Sequence, residues 1–220
     1  LKGLFWNGKK HGKQVVVISE IEHHAILDPA YWLHTHEGAE VITIPVSKNG
    51  VIDLQVLRDT VSARGSEIAV ISIMHSNNET GVLQPIKEVV EIAGDIPVHT
   101  DAVQSFKKVA LSYKDLGVTA LTLSAHKIGG PLGIGALILR RAFEIPALLH
   151  GGGQEREIRS GTLNAPSIVA FAQAAHENYP SETVSQLRDS FIAGVKNAVP
   201  DAYINGEKSN RLPGIVNVTF

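Results

Sequence analysis

The sequence contains no cysteine among its 220 residues, and this absence excludes several kinds of chemistry. Without thiols the chain forms no disulfide, no thiolate metal site and no cysteine nucleophile. The net charge is close to balanced at −2 and basic residues form no runs, so neither nucleic acid nor a membrane surface is favoured as a partner. No apolar run approaches the roughly 18 residues of a membrane-spanning helix, and no signal peptide is visible. We therefore expect a cytoplasmic protein.

Apolar residues make up 44% of the chain, which is enough for a sizeable core. Short apolar runs alternate with longer stretches of helical composition. The predicted strands cover residues 14–19, 40–45, 68–74 and 96–99, and the predicted helices cover residues 25–37, 53–63 and 85–93. This alternation predicts βαβ units, and hence an α/β fold with a mostly parallel sheet and helices on both faces.

Two further apolar strands, residues 120–124 and 134–140, are separated by a short loop rich in glycine. A parallel crossover needs a dozen or more residues, so we expect this pair to be antiparallel and the sheet to be mixed.

The last quarter of the chain differs in pattern. Residues 164–179 predict an amphipathic helix, and Ser181 can cap a second helix after Pro180. We interpret residues 1–180 as a large domain, and residues 181–220 as a linking helix and the start of a smaller C-terminal α+β domain. The chain begins without Met and stops within a strand-like run, so we expect a fragment that lacks both termini.

Lys127 stands at an unusual place, where a predicted strand ends and a glycine-rich loop begins. Polar side chains also follow the other strands. They are His23 and His24, Asn77 and Asn78, Asp101 and Gln104, and Ser124 and His126. Because the carboxyl ends of parallel strands share one edge of the sheet, we expect these groups to converge there.

A lysine, an acid, a flat aromatic ring and several hydroxyl or amide donors suit pyridoxal phosphate. That cofactor needs a lysine for its Schiff base, an acid at its ring nitrogen and a cradle for its phosphate. The sequence gives less support to a nucleotide-binding loop or a metal site. The glycine-rich turn lacks the Gly-Lys-Ser/Thr ending of a nucleotide-binding loop. His34 and His36 do not share one helix face, so we predict no metal site.

Five short segments carry a more specific signal. They are EHHA at residues 22–25, NNETG at 77–81, HTDAVQ at 99–104, SAHK at 124–127 with Gly130 and Pro131, and GGGQER at 151–156 with RSGT at 159–162. In this order and at this spacing, the chain resembles the class V aminotransferase group of fold-type-I pyridoxal-phosphate enzymes. Within that group it resembles the cysteine desulfurases.

The resemblance implies roles for the residues at the centre of these segments. Lys127 resembles the lysine that forms the Schiff base and later moves protons. Asp101 resembles the acid paired with the ring nitrogen, although an aspartate there also suits a helix N-cap. Gln104 and Asn78 resemble the amides that bind the ring hydroxyl side, although a solvated helix residue and a turn residue are the plainer readings.

Four more residues gain roles from the resemblance. His23 resembles the histidine that stacks on the cofactor ring, with an ordinary buried histidine as the alternative. Ser124 and His126 resemble phosphate ligands, with a capping serine and a core histidine as alternatives. Thr162 resembles a residue that reaches the phosphate of a neighbouring subunit, which implies a homodimer with shared active sites; a plain helix-start threonine is the alternative.

The implied reaction converts L-cysteine to alanine, with the sulfur passed to a cysteine absent from this chain. The fragment alone is therefore expected to be inactive. An iron–sulfur scaffold or a tRNA thiolation protein is the partner that the resemblance suggests. Two alternatives stay open. One is another class V enzyme, such as a selenocysteine lyase or an aminotransferase; the other is a catalytically idle scaffold that binds the cofactor or forms a dimer.

Overall fold

A six-stranded sheet runs through the computed structural model, which describes residues 1–220. In chain order its strands are β1 (Val15–Ser19), β2 (Glu40–Ile44), β3 (Ile68–Ser72), β4 (Val98–Asp101), β5 (Ala120–Ser124) and β6 (Gly135–Leu139). Their order across the sheet is β2-β1-β3-β4-β5-β6. The first five are parallel, and β6 pairs antiparallel to β5. The predicted mixed, mostly parallel sheet is confirmed.

Helices cover both faces of this sheet. They are α1 (Lys2–Lys9), α2 (His24–Glu37), α3 (Leu54–Arg64), α4 (Ile86–Ala93) and α5 (Tyr113–Leu116). Alternate side chains of β1 enter two separate apolar clusters, as the period of a strand requires. Val16 and Ile18 pack with residues of α1 and α2. Val15 and Val17 pack with residues of α3, α4 and α5 on the opposite face.

The C-terminal part contains α6 (Ala165–His176), α7 (Ser181–Ala198) and a two-stranded antiparallel sheet of β7 (Tyr203–Ile204) and β8 (Val218–Thr219). The backbone of this C-terminal part is hydrogen-bonded to the loop after β3. The N–H of Leu83 donates to Asn210 O at 2.8 Å, and that of Leu212 donates to Gly81 O at 2.8 Å. The division at residue 180 stays a prediction.

Three details differ from the sequence-based expectations. Strand β4 lies two residues later than predicted and ends at Asp101. Ser181 does not cap α7, because Pro180 occupies the N-cap position and the Ser181 hydroxyl donates to Lys108 O at 2.9 Å instead. On α6, Ile168 and Val169 are exposed, so the apolar face predicted for this helix is largely uncovered.

Candidate functional site

The carboxyl ends of four neighbouring parallel strands form the edge of the candidate site. Strands β1, β3, β4 and β5 end at Ser19, Ser72, Asp101 and Ser124. Asp101 pairs with Thr122 in the register of β4 and β5, so Asp101 and Ser124 come from adjacent strands at the same edge. This is the edge at which open α/β sheets bind ligands.

Lys127 lies on a short 3-10 helix, Ala125–Ile128, that follows β5 directly. Gly129 ends this helix in the left-handed conformation, with φ of 82°, which a side chain would disfavour. A Cβ at Gly130 would lie 2.9 Å from that of Ala125, so the turn also needs glycine there for close packing. The Lys127 side chain is exposed at the strand end, and its charge acts on nearby Lys108.

Asp101 is partly buried beside this turn. Its Oδ1 accepts a hydrogen bond from Val103 N at 2.9 Å. Burial raises the pKa of Asp101, while the Val103 N–H and nearby His23 act in the opposite direction. The residue thus makes a cap-like bond to the following turn and also keeps a carboxyl group in electrostatic contact with His23. The segment after it forms turns rather than the α-helix that an N-cap would begin.

His23 is the N-cap of α2. Its Nδ1 accepts a hydrogen bond from Ala25 N at 3.1 Å, and its ring is exposed rather than buried in the core. The ring therefore has a fixed position near Asp101 and an open side. The His24 side chain instead contacts Asp28, one turn later on α2, with 3.0 Å between His24 Nδ1 and Asp28 Oδ1.

The two predicted amides differ in their surroundings. Gln104 Oε1 accepts from Lys108 Nζ at 2.9 Å, which leaves the amide NH₂ of Gln104 free to donate. Asn78 Nδ2 donates to Glu79 Oε1 at 2.9 Å, so its amide is engaged with the neighbouring carboxylate.

Ser124 and His126 lie together, with 2.6 Å between Ser124 Oγ and His126 Nδ1. His126 is exposed rather than a core histidine. Thr162 is also exposed, between the 3-10 helix Glu155–Glu157 and α6, and it makes no hydrogen bond to the other predicted site residues.

Sequence reasoning gave no role to two side chains that join the loops at this edge. Glu22 is buried, and its Oε1 accepts from Ser19 Oγ at 2.5 Å and from Met74 N at 2.7 Å. Burial raises the pKa of Glu22 to about 8. Asn77 Nδ2 donates to Ile21 O at 3.0 Å, which again links the loops after β1 and β3. The EHHA and NNETG segments contain both residues, but no local pattern reveals these partners.

Two buried histidines also lie beneath the edge. His99 is 2.8 Å from Ser72 Oγ and 2.8 Å from Thr122 Oγ1, which ties together β3, β4 and β5. Burial holds the pKa of His99 well below its usual value. His75 Nδ1 lies 2.7 Å from Ser105 Oγ, and burial lowers the pKa of His75 to about 4. Both rings are therefore neutral structural groups.

Two surface cavities lie outside this edge. One, of about 620 Å³, is lined by α7 and the following segment, including Arg188, Lys196 and Arg211. The other, of about 590 Å³, lies between Phe106, Leu111 and Ser181. Neither of these two cavities is lined by the predicted site residues. None of the helices is long and apolar enough to cross a membrane.

The sequence profile of the class-V aminotransferases matches residues 2–220. The chain belongs to this family. It is 38% identical over 233 residues to an IscS-like cysteine desulfurase of Mycobacterium tuberculosis, covering 100% of this chain and 58% of that protein. It is 39% identical over 227 residues to the cysteine desulfurase IscS of Dictyoglomus turgidum, covering 100% of this chain and 56% of that protein.

Solved structures show the same likeness. A NifS-like protein superposes with a TM-score of 0.90 at 33% identity, over 100% of this chain and 60% of that one. SspA in complex with cysteine superposes with a TM-score of 0.87 at 35% identity, over 100% of this chain and 61% of that one. The class V aminotransferase chain thus spans little more than half the length of the curated relatives that it matches.

The class V aminotransferases are pyridoxal-phosphate enzymes, and the groups at the sheet edge fit that cofactor. An exposed lysine, a carboxyl coupled to a histidine ring, and a hydroxyl beside an imidazole supply the donor set that its aldehyde, ring and phosphate need.

Proposed function

We propose that this chain is the cofactor-binding part of a pyridoxal-phosphate-dependent cysteine desulfurase. The observation that carries the proposal is the arrangement at the carboxyl edge, where Lys127, Asp101 and His23 stand on neighbouring strand ends and turns. The relatives named above as cysteine desulfurases support the same activity. SspA, of which 61% matches this whole chain, has been seen in complex with cysteine.

Each residue has a defined task in this proposal. Bound pyridoxal phosphate withdraws electrons from the α-carbon of an amine substrate. Lys127 would hold the cofactor through its aldehyde group, and its amine would carry the α-proton of the substrate. Asp101 holds the proton on the ring nitrogen, because its carboxylate is partly buried and favours a cationic partner.

The remaining predicted residues orient the cofactor. His23 offers a fixed ring face for stacking, since its Nδ1 is held by the start of α2. Gln104 and Asn78 donate toward the ring hydroxyl, and Asn78 can do so through its second N–H, since only one is used by Glu79. The hydroxyl of Ser124 and the ring of His126 bind the phosphate as a pair.

The sulfur leaves cysteine when its C–S bond breaks, and alanine is the product. The acceptor thiolate must lie outside these 220 residues, because they contain no cysteine.

We further propose a cytoplasmic homodimer in which Thr162 reaches the phosphate of the partner's cofactor. The exposure of Thr162, and of apolar side chains such as Val169 and Leu187, supports contact with a further protein surface. An iron–sulfur scaffold or a tRNA thiolation protein would receive the sulfur.

Cofactor binding is tested first. Addition of pyridoxal phosphate should produce the visible absorption band of a lysine-bound cofactor, and Lys127→Ala should abolish that band. Lys114→Ala removes an exposed lysine on α5 and is the matched control, which should keep the band. Absence of a band in the parent protein would sink the proposal.

Substrate choice is tested second. With an added thiol reductant, which releases the transferred sulfur as sulfide, the protein containing this chain should form alanine and sulfide from L-cysteine in equal amounts, and Lys127→Ala should remove both products. Turnover of selenocysteine alone, or amino-group transfer without sulfide, would instead favour another class V activity. A cofactor band without any turnover would favour an idle scaffold.

A further inference from the structure

Glu22 is a buried carboxyl group for which the proposed reaction has no use. Only 5% of the residue is exposed, and both of its hydrogen bonds converge on Oε1, from the Ser19 hydroxyl and the Met74 N–H. The other oxygen, Oε2, is buried without a partner. An ionised carboxylate in this position would be uncompensated, because neither donor is charged and half of the group has no donor.

Its neighbours make ionisation less favourable still. Asp101, at the end of β4, is the titratable group that acts on Glu22 through space, and its negative charge would repel a second one. His23 follows Glu22 directly in the chain, but its charge interaction is with Asp101. The raised pKa of Glu22, caused first by burial, agrees with this geometry.

We propose that Glu22 acts as a neutral carboxylic acid that positions His23, by joining the carboxyl end of β1 to the chain after β3 beside Asp101. Glu22 is the residue before the N-cap of α2, so its hydrogen bonds fix the point from which His23 follows. With Glu22 neutral, Asp101 is the charged carboxylate at this edge. Ionisation at alkaline pH would place two negative charges side by side and loosen the link. The effect on the cofactor rests on the proposed function, whereas the protonation of Glu22 does not.

Glu22→Gln tests the protonation, because it keeps the shape and stays neutral at every pH. Unfolding of the cofactor-free protein is measured between pH 4.5 and 8, the ordinary and raised pKa values of this group. As the pH rises through this range, the unfolding equilibrium constant of the parent should increase about tenfold per pH unit relative to that of the variant. Difference infrared spectra at pH 7 should show a protonated carboxyl band that the variant lacks. A difference in stability that does not change with pH, or no such band, would overturn the proposal.

Glu20→Gln is the matched control. It removes an exposed carboxyl two positions earlier, whose Oε1 accepts from Val46 N at 2.7 Å, and it should not reproduce the pH trend.

The positioning role is tested by cofactor affinity and by the cofactor absorption band. Glu22→Gln should bind pyridoxal phosphate within about twofold of the parent and keep the band position, while Glu22→Asp, too short to bridge the two loops, should bind about tenfold more weakly. A Gln variant as impaired as the Asp variant would mean that an ionised carboxylate is required, and would refute the role. If the parent binds no cofactor, the proposed function fails, while the stability and infrared measurements still decide whether Glu22 is neutral.

Discussion

Gln104 shows how a single contact can decide the direction in which a proposed site residue donates. A free glutamine amide can turn either its oxygen or its NH₂ toward a ligand. Here Lys108 Nζ donates to Gln104 Oε1 at 2.9 Å, so the oxygen is occupied and the NH₂ remains available. Lys108 is itself half-buried, and burial, followed by the charge of Lys127, lowers its pKa. Lys108 is therefore placed to orient Gln104.

Lys108→Met should weaken pyridoxal-phosphate binding by about 3- to 10-fold, since it removes the hydrogen bond that orients Gln104, a proposed cofactor ligand. Equilibrium titration of the cofactor band measures this. Lys107→Met is the matched control, because Lys107 adjoins Lys108 but makes no side-chain hydrogen bond. The Lys108 effect should also disappear in a Gln104→Ala background. An equal loss in that background would show that Lys108 acts without Gln104.

For single residues, the sequence predicted which residue types follow the strands better than it predicted the hydrogen bonds that those residues make. The placement of Lys127 and Asp101 at strand ends was predicted because a lysine and an acid follow apolar runs, while their roles stay predictions. Glu22 could not, because a glutamate in a loop is normally solvated, and its partner Met74 N lies 52 residues away. The role of His23 as the N-cap of α2 depends on a rotation of its ring that no sequence pattern specifies.

The secondary-structure elements were largely predictable from the alternation of apolar runs and helical stretches. Strand β4 is the instructive exception. Its last three residues, His99, Thr100 and Asp101, are polar, so an apolar pattern ends too early. They nevertheless continue the strand because His99 bonds to the flanking strands and Thr100 Oγ1 donates to Ile73 O at 2.8 Å. Tertiary hydrogen bonds thus extend the strand to the candidate site.

The packing of α1 on the sheet makes a prediction about Gly8. A Cβ at this position would lie 2.5 Å from the Cβ and 2.8 Å from the Cα of Ala69 on β3, so helix and strand would have to separate. Gly8→Ala should lower the free energy of unfolding by about 1–3 kcal/mol, as expected for overpacking. Urea denaturation measures this.

Gly194 in α7 provides the matched control, because a Cβ there meets nothing within 4 Å. Gly194→Ala should raise the free energy of unfolding by about 0.5–1 kcal/mol, since alanine favours the helix and no clash opposes it. Equal effects of the two substitutions would contradict a close contact between α1 and β3.

For the whole molecule, parallel strands explain how residues from distant segments reach one edge. Polar groups that follow β1, β3, β4 and β5 converge there because these strands run in one direction. The sequence predicted that convergence. It did not predict that the same edge would bury ionisable groups, Glu22 and His75 among them, because burial depends on how loops from separate strands cover one another.

These buried groups make the stability of the whole protein depend on pH. His75 remains neutral in the folded state down to a pKa of about 4, whereas in the unfolded chain it takes up a proton near 6.5. The unfolded state therefore binds more protons between these values, and stability falls as the pH drops from about 6.5 to about 4. Glu22 has the opposite sign, since its raised pKa lowers stability as the pH rises.

His75→Gln separates this contribution from the others, because glutamine does not titrate and can still bond to Ser105. Relative to this variant, the parent should lose about 1.4 kcal/mol of unfolding free energy per pH unit below pH ~6.5, reaching about 3 kcal/mol near pH 4. Urea denaturation of both proteins across this range measures the difference. His11→Gln, at an exposed position, controls for the loss of a histidine as such. A parent and variant that differ equally at pH 4 and pH 7 would show that His75 takes up its proton as readily in the folded protein as in the unfolded chain, and that the loop after β3 does not exclude water from it.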